Sequence, residues 1–149
     1  MGKEIERKYL VSDPASAIAK ARVAMHIVQG YLSPNPDATV RVRIKDDKGY
    51  LTIKSRNVGI ERGEWEYEIP VTDAEDLLRL SVTPIIDKTR YEVEYAGYVW
   101  EVDVFESPKK LVIAEAELNS ADEMPTLPEW IAEEVTGDPQ YYNSNITKG

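Results

Sequence analysis

Apolar and polar residues alternate along most of this chain, which is the pattern of β-strands that bury one face. Between Thr39 and Lys45, for example, valine or isoleucine takes every second position and arginine or lysine takes the positions between. The segments with this pattern are 3–10, 25–32, 39–45, 50–56, 64–69, 86–95, 98–105 and 111–118. Most of them are joined by tight turns, such as the hairpin turn at Ala96-Gly97. The pattern therefore predicts about eight antiparallel strands.

Helices are predicted between and after these strands. Segment 12–21 supplies an aspartate cap and a proline before an alanine-rich stretch. Thr72 and Glu75 have the spacing of a capping box that begins a second helix. Segment 128–135 is predicted as a helix that ends at a glycine, and 138–145 as a loop. The predicted fold class is α+β, in a single domain spanning residues 1–149.

Charged side chains on the predicted strands occur as same-sign pairs two residues apart. The pairs are Glu4 with Glu6, Arg41 with Arg43, Lys54 with Arg56, Glu66 with Glu68, Lys88 with Arg90, Glu101 with Asp103, and Glu115 with Glu117. A solvated sheet face is the ordinary explanation of alternation, but neighbouring like charges are destabilising unless a counter-charge lies nearby. The basic pairs on one hairpin favour an anion, and the acidic pairs favour a divalent cation if the first and last strands meet.

A closed barrel accommodates these charges if they face inward. About eight strands enclose enough space for one small ligand, and the apolar faces then pack outward against helices. If the strands close in this way, the result is a closed eight-stranded antiparallel barrel with a charged tunnel inside and helices outside.

Composition narrows the chemistry. The formal net charge of −9 argues against a general nucleic-acid binder. The chain has no cysteine and only one histidine, His26, so a metal would be held by carboxylate oxygens, which favours Mg²⁺ or Mn²⁺. No long apolar run or leader is seen, and we expect a soluble, cytoplasmic protein that binds neither membrane nor nucleic acid. No glycine-rich phosphate loop of the P-loop type occurs.

The segment Glu4-Ile5-Glu6-Arg7-Lys8 resembles the Glu-x-Glu-x-Lys signature of the CYTH superfamily, also called triphosphate tunnel metalloenzymes. The ordered charge pairs and the ending segments 133–138 and 141–145 extend the resemblance over nearly the whole chain. It looks closest to the compact bacterial inorganic tripolyphosphatases.

The resemblance implies a tunnel that binds a linear triphosphate together with Mg²⁺ or Mn²⁺. The metal ligands would be Glu4, Glu6, Glu115 and Glu117. The phosphate-binding residues would be Lys8, Arg41, Arg43, Lys54, Arg56, Lys88 and Arg90. The catalytic candidates are Lys8, Glu66, Glu68 and Asp103, the three carboxylates as groups that either orient the attacking water or support the metal ligands.

The expected reaction is hydrolysis of tripolyphosphate to pyrophosphate and phosphate, with nucleoside triphosphates as further substrates. A class IV adenylate cyclase, a thiamine triphosphatase and a non-catalytic polyphosphate or nucleotide sensor remain alternatives. The oligomeric state stays open between monomer and homodimer. The loop Tyr141–Asn145 either lies over one tunnel mouth, where it would restrict bulky substrates, or anchors the C-terminal helix.

Overall fold

Nine β-strands, two α-helices and two 3₁₀ turns form the part of the chain that the computed structural model describes, residues 2–146. The elements are β1 (Gly2–Val11), α1 (Pro14–Ala19), β2 (Val23–Ser33), β3 (Ala38–Lys45), β4 (Lys48–Ser55), β5 (Glu61–Ile69), α2 (Val71–Leu78), β6 (Ile86–Tyr95), β7 (Tyr98–Ser107), β8 (Leu111–Glu117) and β9 (Ile131–Glu134), followed by 3₁₀ turns at Pro139–Tyr141 and Asn143–Asn145. Neither α-helix has the length and apolar character needed to cross a membrane.

Eight of the strands close into an antiparallel barrel. Hydrogen bonds connect them in the order β5-β4-β3-β2-β6-β7-β8-β1, and β1 also pairs with β5, which completes the ring. The length of β1 makes this closure possible, since residues 2–5 pair with β5 and residues 6–10 pair with β8. The prediction of a closed eight-stranded antiparallel barrel with helices outside is confirmed, and the helices are α1 and α2.

The register directs the charged positions of neighbouring strands to the same side of the sheet. Lys8 lies opposite Glu115, and Arg90 lies opposite Asp103. Side chains directly opposite each other in an antiparallel pair share one face, and on these strands that face is the barrel interior. The interior is therefore charged, as the alternation predicts.

The apolar faces of the same strands form a hydrophobic layer outside the barrel. Trp100 is fully buried and packs edge to face against Tyr9 at 5.5 Å and Trp130 at 5.9 Å between ring centroids. Helix α2 covers β3 and β4, and Gly49 permits this approach because a Cβ there would lie 2.8 Å from the Cβ of Ala74. Stability thus comes largely from the outer layer.

Two local predictions are wrong. Segment 128–135 is not a helix, since residues Ile131–Glu134 form β9 and pair with β1 at Tyr9 and Val11. The backbone of β1 offers pairing positions there, and tertiary hydrogen bonding overrides local helix preference. The capping box is absent, because α2 begins at Val71 after Pro70 without a side-chain cap.

We expect Trp100→Ala to lower the free energy of unfolding by about 3–5 kcal/mol, because it removes the largest side chain of the outer layer. Val99→Ala is the matched control on the opposite face of β7, where the side chain is exposed, and it should cost about 1 kcal/mol or less. Urea denaturation followed by circular dichroism measures both. Equal losses for the two variants would contradict the assignment of the outer face as the main packing layer.

Candidate active site

A cavity enclosed by the barrel strands contains more basic than acidic side chains. The basic residues that line it are Lys8, Arg41, Arg43, Lys54, Arg62, Lys88 and Arg90. The acidic residues that line it are Glu4, Glu6 and Glu115. A surplus of buried cations makes this cavity complementary to an anion of high charge.

Two buried arginines of β3 show this surplus directly. Arg41 donates from Nη2 to Thr52 Oγ1 at 3.1 Å, while its buried Nε has no hydrogen-bond partner among the described residues. Arg43 donates from Nε to the amide oxygen of Gln29 at 2.7 Å. Burial, together with the charges of Arg41 and Arg90, lowers the pKa of Arg43 to about 9. An anion in the cavity would relieve both the missing hydrogen bond and the repulsion.

Asp103 is a buried counter-ion for two other cations. Its carboxylate accepts from Lys88 Nζ at 2.7 Å and from Arg90 Nε and Nη2 at 2.8 and 2.9 Å. Burial opposes its ionisation, but Arg90 and Lys88 outweigh burial and hold the pKa of Asp103 well below its ordinary value. Burial lowers the pKa of Lys88 to about 7, despite the opposing charge of Asp103. These contacts make Asp103 a residue that fixes the positions of Lys88 and Arg90.

Glu4 and Glu64 form the first of two carboxyl pairs. Glu4 Oε1 lies 2.8 Å from Lys54 Nζ and 3.2 Å from Arg62 Nε. Burial opposes its ionisation, yet Lys54, a hydrogen bond with Glu64 and Arg62 lower the pKa of Glu4 to about 2. Burial and the same hydrogen bond raise the pKa of Glu64 to about 7.

Glu6 and Glu115 form the second pair. Glu115 lies 3.7 Å from Lys8 Nζ, and although burial opposes ionisation, Lys8 and a hydrogen bond with Glu6 lower the pKa of Glu115 to about 2. Burial and the charges of Glu115 and Glu4 raise the pKa of Glu6 well above its ordinary value. A hard cation beside either pair would favour the ionised form of its carboxyl groups.

These carboxyl groups fit a divalent metal ion chemically, since all their donor atoms are oxygen. Within residues 2–146 no three acidic or histidine side chains are already gathered into a ligand set. Glu4, Glu6 and Glu115 line this cavity, and together with the exposed Glu117 they also line the adjoining cavity at the other mouth of the tunnel. A metal ion would therefore have to draw the first three closer together.

The structure brings most of the predicted residues together. Those that line the cavity are Glu4, Glu6, Lys8, Arg41, Arg43, Lys54, Lys88, Arg90 and Glu115. Glu66 and Glu117 line the wider mouth together with Glu101.

Arg56 and Glu68 are exceptions. Arg56 follows the end of β4 at Ser55, so the alternation no longer directs it inward, and it pairs with Asp37 on the surface. Glu68 lies near the end of β5 opposite Tyr50 and is exposed. The sequence analysis placed Arg56 and Glu68 in the site, and for these two residues the prediction is wrong.

Sequence reasoning missed four residues of the site. Arg62, Glu64 and Glu66 are alternate residues of β5 and face inward. The predicted strand began at residue 64 and therefore did not include Arg62. Gln29 and Asn143 are uncharged and gave no signal in a search for paired charges.

The C-terminal segment 136–146 closes over one end of the cavity. Tyr142, Asn143 and Ser144 contribute to its lining. Lys8 Nζ donates to the carbonyl oxygen of Tyr141 at 3.0 Å, and its ammonium lies 5.8 Å from the centre of the Tyr142 ring. Of the two roles considered for this loop, its contacts favour the one at the tunnel mouth.

Comparison with known proteins agrees with this geometry. The CYTH domain family model matches residues 2–148. An inorganic triphosphatase of Acetivibrio thermocellus is 48% identical, over 99% of this chain and 95% of its own length. Another, from Nitrosomonas europaea, is 35% identical over 96% of this chain and 95% of its own.

Solved structures share the fold. An inorganic triphosphatase crystal structure has a TM-score of 0.67 at 33% identity and covers 100% of this chain and 97% of its own. The PH1012 protein of Pyrococcus horikoshii, at 22% identity over 80% of this chain and 81% of its own, has a TM-score of 0.60. With a tunnel of the expected construction and a match over nearly all of its length, this chain belongs to the CYTH domain family.

Proposed function

We propose that this chain hydrolyses inorganic triphosphate to pyrophosphate and phosphate, with Mg²⁺ or Mn²⁺ as the metal ion. The observation that carries the proposal is the surplus of buried cations around the cavity, shown most clearly by the unpartnered Nε of Arg41. The two relatives named inorganic triphosphatase support the same substrate.

The basic side chains bind and orient the substrate. Phosphoryl transfer depends on charge neutralisation and on alignment of the attacking and leaving oxygens more than on a covalent intermediate. Arg41 and Arg43 approach from β3, Lys54 from β4, and Lys88 and Arg90 from β6, so cations surround the anion. This arrangement suits a linear chain of phosphates.

Glu4, Glu6 and Glu115 are the residues that would hold the metal ion, with Glu117 closer to the mouth. When bound, a divalent ion stabilises the negative charge that develops on phosphoryl oxygens. Lys8, between Glu115 and Tyr142, is positioned to contact a phosphate at the closed end of the cavity.

Glu66 remains our candidate for orienting the attacking water, since it is an exposed carboxylate at the wider mouth. Asp103 acts on the substrate indirectly, by fixing Lys88 and Arg90.

Glu6→Gln is expected to reduce phosphate release from tripolyphosphate roughly a hundredfold, because an amide cannot replace a carboxylate as an anionic metal ligand beside Glu4 and Glu115. Glu133→Gln, an exposed change of the same kind on β9, should retain activity within about twofold. A colorimetric phosphate assay with Mg²⁺, with Mn²⁺ and with excess EDTA makes the measurement. Full activity in EDTA would refute the metal dependence, and no release under any condition would refute the hydrolase.

Arg41→Ala and Arg56→Ala compare an inward arginine with an outward one. Loss of buried, charged hydrogen-bond donors should lower kcat/KM of Arg41→Ala for tripolyphosphate roughly tenfold to a hundredfold. Arg56→Ala should stay within about twofold of the unsubstituted protein. Steady-state kinetics under identical ionic strength gives both values. A larger loss at Arg56 would show that the cavity does not bind the substrate.

Binding of metal-free tripolyphosphate should weaken as pH rises through about 7, because Lys88 then loses its proton. The raised pKa values of Glu6 and Glu64 act in the same direction, since their ionisation adds negative charge. Titration calorimetry in EDTA from about pH 6 to about pH 9 tests this trend, and Lys88→Met should show a flatter profile. Ionisation of tripolyphosphate itself affects both proteins equally, so identical pH profiles for Lys88→Met and the unsubstituted protein would contradict the assignment.

A further inference from the structure

The side-chain amide of Asn143 connects the C-terminal segment to two cations of the tunnel. Its Oδ1 accepts from Lys88 Nζ at 2.8 Å and from Gln29 Nε2 at 3.0 Å. The Oε1 of Gln29 in turn accepts from Arg43 Nε at 2.7 Å. Gln29 is completely buried and Lys88 is 1% exposed, so this network lies in the protein interior. Gln29 and Asn143, 114 positions apart, are brought together only by the fold.

Both acceptors in this network are neutral, which has an electrostatic consequence. A buried N–H group requires an acceptor, and a carboxylate would meet that need but would also cancel the charge of the cation. An amide oxygen meets the same need and leaves the charge available. Asp103 already pairs with Lys88 and Arg90, and Glu101 lies 3.4 Å from Arg90 Nη1, so a further carboxylate here would neutralise Lys88.

The surroundings of Lys88 show how its ammonium is directed. Its Nζ donates to Asp103 and to Asn143 and lies 5.0 Å from the centre of the Phe105 ring. An ammonium has three N–H donors, so one remains for an oxygen in the cavity that Lys88 lines. Asn143 thus fixes the direction of the group without occupying all of its donors.

We propose that Asn143 is a positioning residue for anion binding, which holds Lys88 directly and Arg43 through Gln29 without neutralising either charge. The inference rests on the proposed function for the identity of the anion, a linear triphosphate. The C-terminal segment then contributes to substrate affinity and also covers one end of the tunnel.

Asn143→Asp separates this role from simple anchoring, because it keeps an acceptor of the same shape and adds a negative charge. The carboxylate would pair with Lys88 and compete with the substrate, so affinity for tripolyphosphate should fall at least about tenfold. The midpoint of thermal unfolding should stay the same or rise, since a buried ion pair replaces a neutral contact. Asn143→Ala should instead lower both affinity and the thermal midpoint.

Gln140→Glu is the matched control. It adds the same charge to the same segment at an exposed position, and affinity should change by about twofold or less. Calorimetric titration of the full chain with tripolyphosphate and with pyrophosphate, in EDTA at constant pH and ionic strength, gives the dissociation constants. Hydrolysis kinetics should show the effect of Asn143→Asp mainly in KM.

The outcomes are distinguishable. If Asn143→Asp binds as tightly as the unsubstituted protein, within about twofold, Asn143 only anchors the segment and the inference is overturned. If this variant does not fold, Gln29→Glu makes the same exchange of charge beside Arg43 and is judged by the same criterion. If the unsubstituted protein binds pyrophosphate but neither binds nor hydrolyses tripolyphosphate, the proposed function fails while the comparison of variants still decides the role of Asn143. Binding of neither anion overturns both.

Discussion

The main physical constraint on this protein is the mutual repulsion of cations that are held inside a closed barrel. Arg41, Arg43, Lys88 and Arg90 lie within the interior, and Asp103 is the carboxylate that pairs with two of them. Burial weakens solvent screening, so the repulsion persists in the folded protein. The interior is therefore complementary to a polyanion, and burial, together with the neighbouring cations, lowers the pKa values of Arg43 and Lys88.

Such an interior is compatible with a stable protein because the outer face of each strand packs in the apolar layer while the inner face carries the charged residues. The outer faces of β1 and β7 bury Tyr9 and Trp100 against Trp130, while the inner faces carry Lys8 and Asp103. Apolar burial on the outside offsets the unfavourable electrostatics inside. A change on one face can then alter binding with little effect on packing, and a change on the other face can do the reverse.

The sequence predicts the parts of this arrangement that follow from strand periodicity. Alternation identifies the eight barrel strands and places residues such as Arg41 and Lys88 inside. It fails where periodicity ends or where a partner lies far along the chain. Arg56 turns outward because β4 stops one residue earlier, and β9 forms only because the end of β1 is available for pairing. Asn143 could not be found in this way, since a neutral side chain has no place in a pattern of charges.

The central claim is that an excess of buried positive charge is relieved by a bound polyanion. Thermal unfolding in the presence of tripolyphosphate tests it most directly, because a ligand that binds only the folded state raises the unfolding temperature. The account predicts a rise of several degrees in tripolyphosphate over sodium chloride at the same ionic strength, with EDTA present. Identical unfolding temperatures in the two solutions would contradict it.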